Sequence, residues 1–259
     1  MIRRLIHVAL GKRGTVFKPR ITVCVPTGIT NVEKRAVVQS LMLAGAKTVT
    51  LIEEPIAAAL GAGLDILRPE GNMIVDIGDG TCETAVIALG GVVASRSMRV
   101  AGAALNDAIT NYVKKNFGLS IGDKTAEEIK LTIGSALPFD GEGTFEVRGR
   151  DSSTGLPKNI AISATEVREA MSQNIGYMIE EIRNTLSITP AELTADILKN
   201  GITLTGGGAL IRNLDKVIEE AIGVPVHIAA EPLDCVVLGT AMASENESIL
   251  RRSGVARNG

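Results

Sequence analysis

Two carboxylates, two glycines and a hydroxyl lie within six residues at Asp76-Ile77-Gly78-Asp79-Gly80-Thr81. Asp76 and Asp79 suit a divalent cation, bound directly or through water. Gly78 and Gly80 let backbone N–H groups close on a phosphate, with Thr81 supplying a hydroxyl beside them. The same residues also make an ordinary hairpin turn. A second glycine turn, Thr205-Gly206-Gly207-Gly208, joins a strand pattern to a helix pattern. It admits a flat or anionic ligand at a helix N-terminus, or it is a flexible connection. Glu54 stands between an apolar strand pattern and Pro55. Proline disfavours helical backbone in the residue before it, so Glu54 is expected to be extended. Its carboxylate could then orient water, although a solvated strand-end acid looks the same. Glu127 and Lys130 are three apart on one predicted helix face. They suit a ribose between them, or a surface ion pair of little worth.

These residues need an alternating framework to bring them together. Strands are predicted at Ile21–Val25, Val49–Ile52, Met73–Ile77, Glu83–Leu89, Val92–Arg99, Ile202–Thr205 and Pro225–Ile228. Gly90-Gly91 reads as a two-residue hairpin turn. A second hairpin is expected from Thr144–Arg150 and Asn159–Ser163. Capping boxes at Thr30–Glu33 and Thr125–Glu128 predict helices to about Ala46 and Leu137. Further helices are expected at Pro55–Leu60, Leu105–Phe117, Ser163–Leu186, Ala191–Lys199, Ala209–Ile222 and Leu233–Ala243. The alanine-rich helix after Pro55 permits close packing, as at a hinge between domains. The polar tail from about Asn246 is expected to fray. Strands alternating with helices give an α/β class.

Composition narrows the function. The chain has 259 residues, 45% hydrophobic and 22% charged, enough for one large domain or two smaller ones. Aromatics are 2% with no Trp, which argues against base-stacking nucleic-acid surfaces. A net charge of -2 gives no field that favours DNA or anionic lipid. Cys24, Cys82 and Cys235 are widely spaced and odd in number, so a reduced cytoplasmic compartment is the simpler expectation. The basic, then apolar, Met1–Ile6 is too short for a signal peptide, and no apolar run approaches a transmembrane helix.

The order of the pieces carries a resemblance. Glu54-Pro55-Ile56-Ala57-Ala58-Ala59, then Asp76–Thr81, then Thr125–Lys130, then Thr205–Ala209 is similar to the actin-like ATPase superfamily. Within it the chain resembles the MreB family of bacterial rod-shape-determining cytoskeletal proteins. Cys24–Thr30, Val32–Ala36, Leu51–Ala59, Ile133–Ala136 and Leu204–Leu214 carry the same resemblance, which runs from about Met1 to Ala243. It implies an α/β, actin-like (ribonuclease H-like) fold. Residues 1–64 and 237–259 would be the remainder of the first domain. Residues 65–103 and 168–236 would be the second, with 104–167 as its inserted subdomain.

The resemblance also implies roles. Glu54 matches the glutamate that positions attacking water, assisted by Thr81. Asp76 matches the acid associated with Mg²⁺, with Asp79 as a further candidate. Gly78, Gly80 and Thr81 match a phosphate loop, with Gly102 nearby. Glu127 and Lys130 match ribose and adenine contacts, and Gly206, Gly207 and Gly208 the adenosine loop. The cofactors implied are ATP and Mg²⁺. The partners implied are other copies of the chain in protofilaments and the inner-membrane elongation proteins MreC, MreD and RodZ. Val16 and Phe17 stand where some members carry a membrane-inserting loop, or they pack on their own domain. The implied location is the cytoplasm, at the inner face of the membrane, directing cell-wall synthesis.

Departures from the family pattern keep a second reading open. No Asp-x-Gly-Thr phosphate loop precedes Glu54, so the first domain is expected to be incomplete and ATP hydrolysis is left open. Asp79 replaces a usual glycine, and Ala103 and Asn106 stand where the family carries acids. Leu238 stands where a basic residue is common. The alternative is a nucleotide-binding-deficient fragment or degenerate paralogue that acts as a partner-binding module. A sugar kinase or chaperone ATPase on the same fold fits less well, because no substrate base or peptide-binding domain is evident.

Overall fold

The computed structural model describes residues 2–11, 18–246 and 257–258. Val16, Phe17 and most of the tail beyond Asn246 lie outside the described residues. The first sheet has the order β1-β2-β11, from β1 (Arg20–Val25), β2 (Thr48–Glu53) and β11 (Arg257–Asn258). β1 and β2 are parallel and in register from Arg20 opposite Thr48 to Val25 opposite Glu53. Helix α1 (Ile2–Leu10) packs on α2 (Asn31–Ala44), which crosses over between the two strands. The Thr30 capping box is formed: its side chain accepts from the Glu33 N–H, and the Glu33 carboxylate accepts from Thr30.

The second sheet has the order β10-β9-β3-β4-β5. It is built from β3 (Asn72–Ile77), β4 (Cys82–Ala88), β5 (Gly91–Met98), β9 (Ile202–Thr205) and β10 (Val226–Ile228). β3 and β4 are buried on both faces, and their side chains alternate between two cores. Met73, Val75, Ile77, Cys82 and Val86 join the large core under α4 (Gly102–Phe117) and α6 (Ala164–Ser187). Ile74, Ala85 and Ile87 join a second core built on α3 (Glu54–Gly61). By the two-residue strand period, Asp76 and Glu83 therefore face the α3 side.

α3 is buried from Pro55 to Leu60, so its alanines are packing residues. It crosses α9 (Cys235–Glu245) at very short range. A Cβ on Gly61 would lie 1.8 Å from the Cys235 carbonyl oxygen, and one on Gly239 would lie 1.8 Å from that of Ala57.

A third sheet, β6 (Leu119–Ser120), β7 (Thr144–Asp151) and β8 (Pro157–Ser163), carries α5 (Asp123–Ile133). Helices α7 (Ala191–Asn200) and α8 (Leu214–Ile222) complete the chain. No helix among the described residues is long and apolar enough to cross a membrane.

Four local expectations are corrected. Glu54 is the first helical residue and Glu53 is the extended cap, at φ -71 and ψ 136. First-turn N–H groups have no intrahelical partner, so Pro55 sits there without losing a hydrogen bond. The tight turn before β5 is Leu89-Gly90, with Ala88 paired to Gly91. Both turn residues have positive φ, 53 and 79. Their N–H groups donate to Arg68 and Ile66 carbonyls, and these bonds fix the register one residue early. Thr125 caps nothing: α5 starts at Asp123, with Gly122 as the cap, and ends at Ile133. The helix expected from Ala209 begins at Leu214, after a short 3-10 turn at Gly207–Leu210.

Candidate functional site

The phosphate-type turn sits between β3 and β4 and is closed by Gly78 N–H donating to the Thr81 carbonyl at 2.9 Å. α4 approaches it end-on. Its Gly102 and Ala103 N–H groups donate to the carbonyls of Gly78 and Asp79, at 3.1 and 2.8 Å. A Cβ on Gly102 would meet the Gly78 oxygen and the Asp79 side chain at 3.2 and 3.3 Å, so the approach suits glycine. The second glycine turn leans on the end of β3. Gly206 has φ 78, and a Cβ there would lie 2.4 Å from the Ile77 oxygen. Gly208 is pressed on the Ile77 side chain in the same way, whereas Gly207 meets only Leu233.

Between these turns and α5 lies a cavity of about 470 Å³. Gly78, Asp79, Gly102, Glu127, Lys130, Gly207 and Gly208 line it, brought together from four separate segments. Lys130 reaches across the seam, its Nζ donating to the Gly102 carbonyl at 3.2 Å. Burial lowers its pKa, while Glu127 and Asp79 pull it back up. Glu127 and Lys130 form no salt bridge with each other.

Residues without an assigned role complete the wall: Leu131, Gly134, Leu210, Ile211, Arg212 and Leu233. Arg212 stacks on Phe139, 4.0 Å above the ring centre. Ser135 and Arg212 pair as a parallel bridge, and Ser135 Oγ donates to the Arg212 carbonyl at 3.1 Å. That bridge ties α5 to the glycine turn. Gly134 and Arg212 fall inside resembling segments, but only the fold gives them a shared wall.

Glu54, Asp76, Gly80, Thr81 and Gly206 do not line this cavity. Glu54 and Asp76 instead belong with Glu83, which the sequence reading missed. Asp76 and Glu83 are directly opposite in the β3–β4 register. Asp76 accepts from Thr205 Oγ1 at 2.8 Å. Burial raises its pKa, and the Thr205 bond offsets part of that. Glu54 is raised by burial and then by Asp76. Glu83 is pushed up to about 7 by burial first and by Glu54 next, against hydrogen bonds from Thr27. Burial, reinforced by Asp76, pushes the Cys82 thiol up to about 12, so it is not a nucleophile at neutral pH.

The cavity fits a nucleoside phosphate in size, in its glycine floor and in the cations Lys130 and Arg212 on its wall. Of the two carboxylates considered for Mg²⁺, Asp79 lines the cavity, whereas Asp76 is buried against Thr205 outside it. Among the described residues no group of three or more His, Cys, Asp or Glu is placed to hold a metal alone.

The sequence and the fold both match known proteins. The model of the MreB/Mbl protein family matches residues 1–252. The cell shape-determining protein Mbl of Bacillus subtilis is 41% identical over 246 residues, 95% of this chain and 74% of its own length. The cell shape-determining protein MreB of Escherichia coli K12 is 48% identical over 227 residues, 88% of this chain and 65% of its own length. The chain thus spans about two thirds to three quarters of these relatives. The crystal structure of MreB5 of Spiroplasma citri bound to ADP superposes with a TM-score of 0.90 at 36% identity, covering 96% of this chain and 75% of that one. The α/β fold is actin-like, and with the family match extending over nearly all its residues the chain belongs to the MreB/Mbl family.

Proposed function

We propose that this chain is an ATP-binding, actin-like cytoskeletal protein that assembles into membrane-associated filaments and directs cell-wall synthesis. The observation that carries the reading is the cavity. Residues from the β3–β4 turn, the start of α4, helix α5 and the second glycine turn converge on it, each proposed beforehand for nucleotide contact. Glu127 and Lys130 would hold the ribose and base, with Gly207 and Gly208 beneath. Gly78, Asp79, Gly80 and Thr81 would face the phosphates. Bound Mg²⁺, near Asp76 and Asp79, would neutralise phosphate charge. Glu54 would hold the attacking water, and burial, then Asp76, makes its carboxylate more basic than an ordinary one. The same reading assigns residues 1–64 and 237–259 to one actin-like domain and 65–103 and 168–236 to a second. Residues 104–167 form its inserted subdomain. The S. citri relative's bound ADP supports the ligand class. Self-association and contacts with MreC, MreD and RodZ are proposed on family membership alone.

Calorimetric titration of the full chain with ATP and ADP, with and without Mg²⁺, tests the reading. Saturable heat is expected, and Lys130→Ala should weaken affinity at least about tenfold, the loss of one charge-assisted contact. Sedimentation with Mg²⁺ and ATP then reads filament formation. No binding at millimolar nucleotide would favour the partner-binding module instead.

A further inference from the structure

Glu83 belongs to neither glycine turn and does not line the cavity, yet it joins the two large sheets at one end. On the first sheet Val25 is opposite Glu53. Thr27 follows β1 by two residues and Glu54 follows β2 by one, so both leave the same end of that sheet. On the second sheet, strand register sets Thr205, Asp76, Glu83 and Ser97 in one row across β9, β3, β4 and β5. That row faces α3. Glu83 is 1% exposed and forms no salt bridge among the described residues. Its Oε1 accepts from Ser97 Oγ at 3.5 Å, within its own sheet. Its Oε2 accepts from Thr27 Oγ1 at 3.2 Å and from the Thr27 N–H at 3.5 Å, across to the first sheet. An unpaired buried carboxylate is costly unless its hydrogen bonds are made, and two of these three come from the other sheet. The distances are at the long end of the range, so a closing movement of a few tenths of an ångström would tighten both.

We propose that Glu83 is a positioning residue: by accepting from Thr27 it fixes the first sheet against the second and so sets where Glu54 stands relative to Asp76. The contact stands on its own geometry, and only its consequence for hydrolysis rests on the proposed function.

Hydrogen–deuterium exchange of the full chain, without nucleotide, tests the contact. Glu83→Ala should speed exchange of the amides at residues 27–30 about tenfold, the scale of one lost hydrogen bond. Glu83→Gln keeps an acceptor oxygen and should restore at least half of that protection. Thr27→Val, on a partly exposed turn, tests the same contact should Glu83→Ala fail to fold. It should speed exchange of the same amides, and its effect should not add to that of Glu83→Gln. Unchanged exchange in Thr27→Val, or strict additivity with Glu83→Gln, would overturn the proposal. With Mg²⁺ and ATP present, Glu83→Ala should slow phosphate release with little change in nucleotide affinity. A fall in affinity as large as the fall in rate would overturn the positioning role. If the chain binds no nucleotide at all, the functional reading fails while the exchange result still decides the contact.

Discussion

Replacing Glu83 by Gln should remove a pH dependence of stability that the buried acids impose. Glu83 has an ordinary value of 4.5 and is held at about 7 in the fold, chiefly by burial and then by Glu54. Between these values the folded chain keeps a proton that the unfolded chain has released. Stability must therefore fall as pH rises through this window and level off above about 7. Each pH unit is worth about 1.4 kcal/mol, so the whole interval amounts to roughly 3 kcal/mol. Glu54 and Asp76 are raised too, so the wild-type slope contains their contribution. The difference between wild type and Glu83→Gln isolates the share of Glu83. The chain has no Trp, so urea unfolding is best followed by far-ultraviolet circular dichroism, from pH 5 to 8 in EDTA. The Gln variant should gain on wild type by about 2–3 kcal/mol from pH 5 to 7.5, and by little beyond. Parallel stability curves for the two proteins would refute the reasoning, because they would mean that Glu83 titrates alike folded and unfolded.

Three further outcomes follow from the geometry. Gly239→Ala puts a methyl 1.8 Å from the Ala57 carbonyl oxygen, so α3 and α9 must separate. A loss of at least about 1–3 kcal/mol is expected in urea unfolding. Thr205→Val removes the donor to Asp76 and leaves a buried carboxylate short of a partner, at a cost of about 1–3 kcal/mol at pH 7. A smaller loss at pH 4 would show up in the same melts, because protonated Asp76 needs that donor less. Glu54→Gln should slow phosphate release by about 100-fold or more while leaving ATP affinity within a few-fold, if Glu54 orients the water. Equal rates in a single-turnover assay would remove it from that role.

The parts that local chemistry decides were legible in the sequence. Ile202–Thr205 forms a strand with the predicted bounds. The Thr30 box forms because Glu33 reciprocates. The Thr125 box does not, because the Gly122 carbonyl already takes the Thr125 and Ala126 N–H groups and starts the helix early. What long-range contacts decide was not legible. The hairpin turn moved to Leu89-Gly90 because Ile66 and Arg68 offer carbonyls there. The chain between Leu210 and Leu214 stays irregular where Arg212 pairs with Ser135, 77 residues away.

Glu83 shows why the site was half visible. The glycine turns announce themselves, because backbone that must approach a ligand or another strand needs a special residue type. A lone acid in Cys82-Glu83-Thr84 reads as the solvent side of an alternating strand. It acquires a role only once register sets it opposite Asp76 and once α3 covers that face. Sequence motifs therefore pointed to Gly78, Asp79, Gly102, Glu127, Lys130, Gly207 and Gly208, which the fold gathers around one cavity. The carboxylate that holds the two sheets together depends on pairings across four strands, and no local pattern encodes those. If the Glu83 contact sets the two sheets, substitutions that alter hydrolysis without altering binding should extend along that row to Glu83 and Ser97, outside both glycine turns. Single-turnover rates for Ser97→Ala, set beside its nucleotide affinity, would expose that division.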